Sequence, residues 1–131
     1  MTMNNNKISI EATENSPKVV FDFSSNEFEL RGMSYMEDVD QFYDSLVTKL
    51  DAHFDALADA NVTFDFALPY FNSSSARMVF RLFDMLDKAA GAGNDININW
   101  HYGDDEDISE QGEEFGEDLL HAKFNLVGDE V

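Results

Sequence analysis

Three consecutive hydroxyls, Ser73, Ser74 and Ser75, sit in the stretch PYFNSSSARMVF, which runs from Pro69 to Phe80 between an apolar run and a segment of helical periodicity. A strand-to-helix junction of this kind presents free amides beside the hydroxyls. Two kinds of chemistry fit. Serine caps a helix N-terminus, a contribution of about 1 kcal/mol over alanine, and one serine suffices for that. Alternatively, a phosphoryl group on one hydroxyl would meet unpaired N–H groups and the positive end of the helix dipole. Arg77, one turn on, supplies a cation for a charge-assisted bond. The residues by themselves leave both chemistries open.

Other candidate chemistry is weaker. Asp104, Asp105, Glu106 and Asp107 precede Glu110, Glu113, Glu114, Glu117 and Asp118, but they lack the alternating ligands, central glycine and twelfth-position glutamate of a calcium loop. An acidic turn leading into a helix explains them. His53, His101 and His121 include no pair at helical ligand spacing. FNSSSA is no nucleophile elbow, and Gly91–Gly93 reads as a helix stop instead of a phosphate loop. With 27 Asp and Glu, carboxylate pairs arise by abundance alone, so a small acidic carboxylate-dependent hydrolase stands only as an alternative of another class. No catalytic residue, metal site or cofactor is assigned.

The formal charge of −19 repels phosphate backbones and anionic lipid, which argues against nucleic-acid and membrane-surface binding. It equally fits a basic partner or a saline habitat. The absence of cysteine excludes disulfides, thiol catalysis and thiolate metal sites. The first residues, MTMNNNKISIEATENS, have neither a basic segment nor an apolar segment of signal-peptide type. No apolar run approaches the roughly 20 residues that cross a bilayer. A cytoplasmic location is the expectation.

These residues need elements to position them. Residues 1–6 are polar and expected to be disordered, residues 7–127 form one domain, and 128–131 are a polar tail. KISIEA (Lys7–Ala12), KVVFDF (Lys18–Phe23) and EFELRG (Glu27–Gly32) read as strands, the last two joined as a hairpin. From Asp38 to Asp59, apolar residues recur at spacings of three and four, which predicts a helix with one buried stripe. Asn61–Phe71 carries apolar residues on both parities, as a buried central strand does, and Pro69 marks its end. A second helix is predicted over about Ser74–Ala90. Asp95–Tyr102 alternates as a strand, a third helix is interrupted by Gly112 and Gly116, and His121–Val127 closes the chain as a strand. The order β-β-β-α-β-α-β-α-β implies an α/β fold with a mixed sheet, parallel beyond the opening hairpin.

Several strings together resemble a family. LPYFNSSSARMVFRLFDMLD is similar to the core of the SiaC-type regulatory phosphoproteins, whose fold is related to the STAS domains of anti-sigma factor antagonists. EATENSPKVVFDF resembles that family's T-x-x-[ST]-P turn, and FELRGMSYMEDVDQFY its G-x-S-Y-x-E segment. INWHYGDDEDISEQGEEFGED is similar to its W-x-Y strand end and acidic helix. The resemblance spans nearly the whole chain. It implies a STAS-like, non-enzymatic protein switched by phosphorylation within Asn72-Ser73-Ser74-Ser75. The matching acceptor is Ser73, where well-known members carry Thr, with Ser74 as the alternative. Implied partners are a histidine-kinase-like serine/threonine protein kinase, a PP2C-type phosphatase and a diguanylate cyclase. The unmodified form would bind and activate the cyclase, placing the protein in cyclic-di-GMP and biofilm signalling, and phosphorylation would release it. The alternative output is an anti-sigma factor antagonist in a sigma-factor circuit. The implied docking surface comprises Tyr70, Asn72, Ser73, Ser74 and Arg77, with Tyr35 and Glu37 of the S-Y-x-E segment near its edge.

Overall fold

Alternation of apolar and polar side chains builds the sheet, and three-and-four spacing builds the helices that cover it. The computed structural model describes residues 6–128. Its elements are β1 (Lys7–Ile10), β2 (Lys18–Asp22), β3 (Glu27–Arg31), α1 (Val39–Asp55), β4 (Asn61–Ala67), α2 (Ser73–Gly91), β5 (Asp95–Gly103), α3 (Glu106–Gly116) and β6 (Lys123–Gly128). The disordered N-terminus and polar tail expected from the sequence lie outside the described residues, apart from Asn6 and Gly128.

The strands form one six-stranded sheet in sequence order. β1, β2 and β3 pair antiparallel, and β3 to β6 pair parallel through the helices. The β2–β3 hairpin closes where Asp22 Oδ1 accepts from the amides of Ser24 and Ser25, with Asn26 at a positive φ of 58°.

Register decides which side is core. Phe21, Phe28, Phe64 and Ile98 are partners across four strands, and Val19, Leu30, Phe66 and Trp100 form the next row. Both rows are buried under the helices. The intervening row, Val20, Glu29, Asp65, Asn99 and Asn125, points to the other side. There Asp65 Oδ1 accepts from Asn99 at 3.1 Å and lies 2.8 Å from His101 Nε2, while Asn99 accepts from Asn125 at 3.0 Å. β4 is therefore central but buried on one face only. Its apparent two-sided apolar pattern comes from the adjoining buried run Phe66, Ala67 and Leu68 where the strand ends.

The helix boundaries differ from the sequence expectation in instructive places. α1 stops at Asp55, four residues before Asp59, and Asp59 takes a positive φ of 55° in the turn to β4. β6 starts at Lys123 instead of His121. The preceding amides of Leu120, His121 and Ala122 all donate to Asp87, at 2.8 Å for His121 and 2.9 Å for Ala122, which holds them out of the ladder. α3 is not interrupted at Gly112: it runs unbroken from Glu106 to Gly116. That glycine sits where the helix crosses the Trp100 ring, whose Nε1 donates to Ile108 O at 2.8 Å. A Cβ at position 112 would lie 2.3 Å from Trp100 Cδ1.

Because the clash is with a fully buried indole, Gly112→Ala should cost about 2–3 kcal/mol despite the better helix propensity of alanine. Urea unfolding followed by Trp100 fluorescence checks this, and an unchanged midpoint would contradict the close approach.

Candidate functional site

Beyond the ends of β3 and β4 the two chains continue side by side. Gly32 N donates to Ala67 O at 2.9 Å, Ser34 N to Tyr70 O at 3.0 Å, and Asn72 N to Ser34 O at 3.1 Å. Gly32 has a φ of 127°, a conformation open to glycine at little cost. The Thr13–Pro17 turn joins this pair. Thr13 Oγ1 accepts from Ser16 N at 3.0 Å, and Asn15 O accepts from Tyr35 N at 2.9 Å. The strings that carried the family resemblance thus converge on one end of the sheet. Phe71 extends the convergence to Trp100, 6.0 Å away ring to ring.

The sequence left helix capping to a serine, but the cap is Asn72. Its backbone is extended, and its Oδ1 accepts from Ser75 N at 2.9 Å. Asparagine caps as well as serine does, so the helix begins at Ser73, one residue earlier than predicted. The three hydroxyls then part company at roughly 100° per residue. Ser75 is buried, with its Oγ 2.7 Å from Ser34 Oγ, which lies 2.8 Å from the Tyr43 hydroxyl. Ser74 is half-buried, and Arg77 Nη2 approaches its Oγ at 3.5 Å. Ser73 is exposed, and its hydroxyl has no hydrogen-bond partner among the described residues. The first-turn amides beside it have no intrahelical acceptor by construction.

Around this turn, Tyr70 is 51% exposed and meets the half-exposed Tyr35 ring edge-on at 5.6 Å. Arg77 is exposed one turn along α2. Tyr70, Ser73, Ser74 and Arg77 therefore share a surface. Asn72 is half-buried and committed to the cap, so it positions the turn. Glu37 is exposed just ahead of α1. Sequence reasoning missed the buried pair Ser34 and Ser75, although Ser34 sits within the quoted GMSYME string. It also missed the exposed side chains Met33 and Phe80, because single apolar residues carry no periodic signal.

The competing sites resolve differently. Asp105 Oδ1 caps α3, accepting from Asp107 and Ile108 at 3.0 and 3.3 Å. The acidic run is thus a helix start. A crevice of about 400 Å³ nearby is lined by Arg31, Ala67, Pro69, His101, Asp104 and Asp105 among others, and that cap already engages one of its two carboxylates. Among the described residues no group of three His, Asp or Glu is placed to hold a metal, and no helix is long and apolar enough to cross a membrane.

Comparison with known proteins adds to this geometry. Residues 10–128 match the model of the SiaC family regulatory phosphoproteins. An uncharacterized protein of Pseudomonas aeruginosa (strain UCBPP-PA14) is 28% identical over 112 residues, which covers 83% of this chain and 86% of that protein. The crystal structure of apo-SiaC from Pseudomonas aeruginosa superposes with a TM-score of 0.83 at 24% identity, covering 92% of this chain and 98% of that one. SiaC in complex with the diguanylate cyclase SiaD, of which it is the activator, superposes with a TM-score of 0.86 at 24% identity, covering 93% and 99%. These superpositions show a shared mixed α/β fold.

Two measurements check the site. Asn72→Ala should lose about 1 kcal/mol of stability, whereas Ser73→Ala should stay within about 0.5 kcal/mol of the parent; a reversed order in urea denaturation would return the cap to Ser73. Burial pushes the Tyr43 phenol from 10.0 up to about 12, against the hydrogen bond with Ser34, which lowers it. A raised pKa contributes stability below the unfolded value and loses it as pH climbs. Stability should therefore fall between pH 10 and about 12, by roughly 1.4 kcal/mol per pH unit. Tyr43→Phe should remove that slope, and an equal slope in the variant would assign it elsewhere.

Proposed function

The chain belongs to the SiaC family of regulatory phosphoproteins, and on that premise we propose that it is a partner-switching protein whose switch is the hydroxyl of Ser73. The observation that carries this reading is the division of labour in one helical turn. Asn72 caps, Ser75 is sealed into the core, and Ser73 alone is exposed and unengaged. A kinase can reach Ser73 without unfolding the turn.

In this reading the unmodified protein docks through the surface around Tyr70, Ser73, Ser74 and Arg77 and activates a diguanylate cyclase in the cytoplasm. The complex of the structural neighbour SiaC with SiaD supports that output. A histidine-kinase-like serine/threonine kinase adds the phosphate and a PP2C-type phosphatase removes it. A dianion in the middle of a surface that accepts a neutral hydroxyl brings desolvation and repulsion, enough to move the binding equilibrium by several kcal/mol. Ser73 itself caps nothing, so modification changes docking without removing the cap of the helix.

Ser73→Ala should bind and activate its diguanylate cyclase whether or not the kinase is present. Ser73→Asp should bind at least tenfold more weakly, and Ser74→Ala should keep kinase control. Calorimetric titration with the cyclase, alongside cyclic-di-GMP production, reads all three. Equal binding by the Ala and Asp variants of Ser73 would remove this residue as the switch.

A further inference from the structure

Among the helices, α2 is the exception to the charge of this chain. The whole protein carries 27 acids and 8 bases. α1 has four acids to one base, and α3 has five acids and no base. α2 carries Arg77, Arg81 and Lys88 against Asp84 and Asp87. Asp87 is occupied by the amides of the α3–β6 loop, which leaves Asp84 as the one acid on the outer face of the helix.

That face is narrow and continuous. Ser73, Arg77, Phe80, Arg81, Asp84 and Lys88 are all exposed, and at 3.6 residues per turn they fall within an arc of about 100°. Among the described residues, neither Arg77 nor Arg81 joins an ion pair. Phe80 is 48% exposed between them, and its ring rests on Phe115 at 4.6 Å. It is an apolar knob with a firm base. Two guanidinium groups without a carboxylate partner among the described residues, flanking an anchored aromatic ring, have the make-up of an interface centre.

We infer that the outer face of α2 docks an acidic amphipathic segment of the partner, whose carboxylates pair with Arg77 and Arg81 and whose apolar residue packs on Phe80. This inference rests on the partner-switching reading and names the chemistry of the partner. Charge complementarity carries it: a basic partner would find acidic surface over most of the molecule, whereas this stripe offers an acidic one three bases on one helix face, with Arg77 and Arg81 outside any ion pair among the described residues. Arg77 then has two alternative counter-ions. Its guanidinium already reaches back to the N-terminal turn, 3.5 Å from Ser74 Oγ. A phosphate on Ser73 draws it onto the dianion and away from the partner. Modification adds repulsion and withdraws an anchor at the same time.

The test uses the full chain and two labelled peptides of about five helical turns. They share leucine positions and carry either glutamate or lysine on the polar face. Fluorescence anisotropy should show the glutamate peptide binding, at least tenfold more weakly to the Arg77→Glu/Arg81→Glu variant, and unchanged by Lys49→Glu on α1. Ser73→Asp should weaken it in the parent and much less beside Arg77→Gln. No binding of the glutamate peptide, or equal binding by the charge-reversed variant, would overturn the inference. Circular dichroism confirms that these surface variants fold. Cyclase activation by Ser73→Ala, measured in parallel, separates the two claims. Activation that survives Arg77→Glu/Arg81→Glu overturns the acidic partner and keeps the switch. A cyclase indifferent to position 73, with peptide binding still lost on charge reversal, does the opposite.

Discussion

The first turn of α2 depends on a buried contact between two serine hydroxyls. Ser34, in the loop after β3, and Ser75, in the helix, meet at 2.7 Å, and Tyr43 of α1 adds a third hydroxyl at 2.8 Å. Away from water, each hydroxyl would cost about 1–3 kcal/mol if left unpaired. The chain of three satisfies them together, and among the described residues no buried side-chain nitrogen or oxygen lacks a partner. The contact ties a loop and two helices at one point. Because Ser75 must point inward, Ser73, two residues earlier on the helix, points outward.

Stability and the proposed switch thereby fall on different atoms of one short segment. The amide of Ser75 binds the cap, its hydroxyl binds the core, and the Ser73 hydroxyl does neither. The site lies past the C-terminal ends of parallel strands, where α/β sheets place their binding residues. There the backbone pairing of 32–34 with 67–72 carries the rigidity of the sheet into the loops. The exposed ring pair of Tyr35 and Tyr70 stands on that pairing.

Much of this was legible in the sequence because the sheet alternates cleanly and the helices carry single apolar stripes. Element order, the mixed sheet and the location of the serine junction follow from periodicity and turn chemistry. What escaped was set by tertiary contacts. Gly112 reads as a helix breaker until Trp100 is seen beneath it, and then it is the residue that lets the helix approach. Asp87 reads as helix surface until it gathers three amides from a loop 33 to 35 residues away. The serines read as equivalent, because nothing local distinguishes Asn72 as the cap or reveals that Ser34 waits for Ser75 from 41 residues away.

The proposed switch stands or falls with Ser73 as the hydroxyl that carries the phosphate. Intact mass with site mapping, on protein purified from its native host and compared with and without its kinase, tests this most directly. A kinase-dependent fraction heavier by one phosphoryl group, mapped to Ser73, is the expected result. A phosphate confined to Ser74, or none at all with the active kinase present, would contradict it.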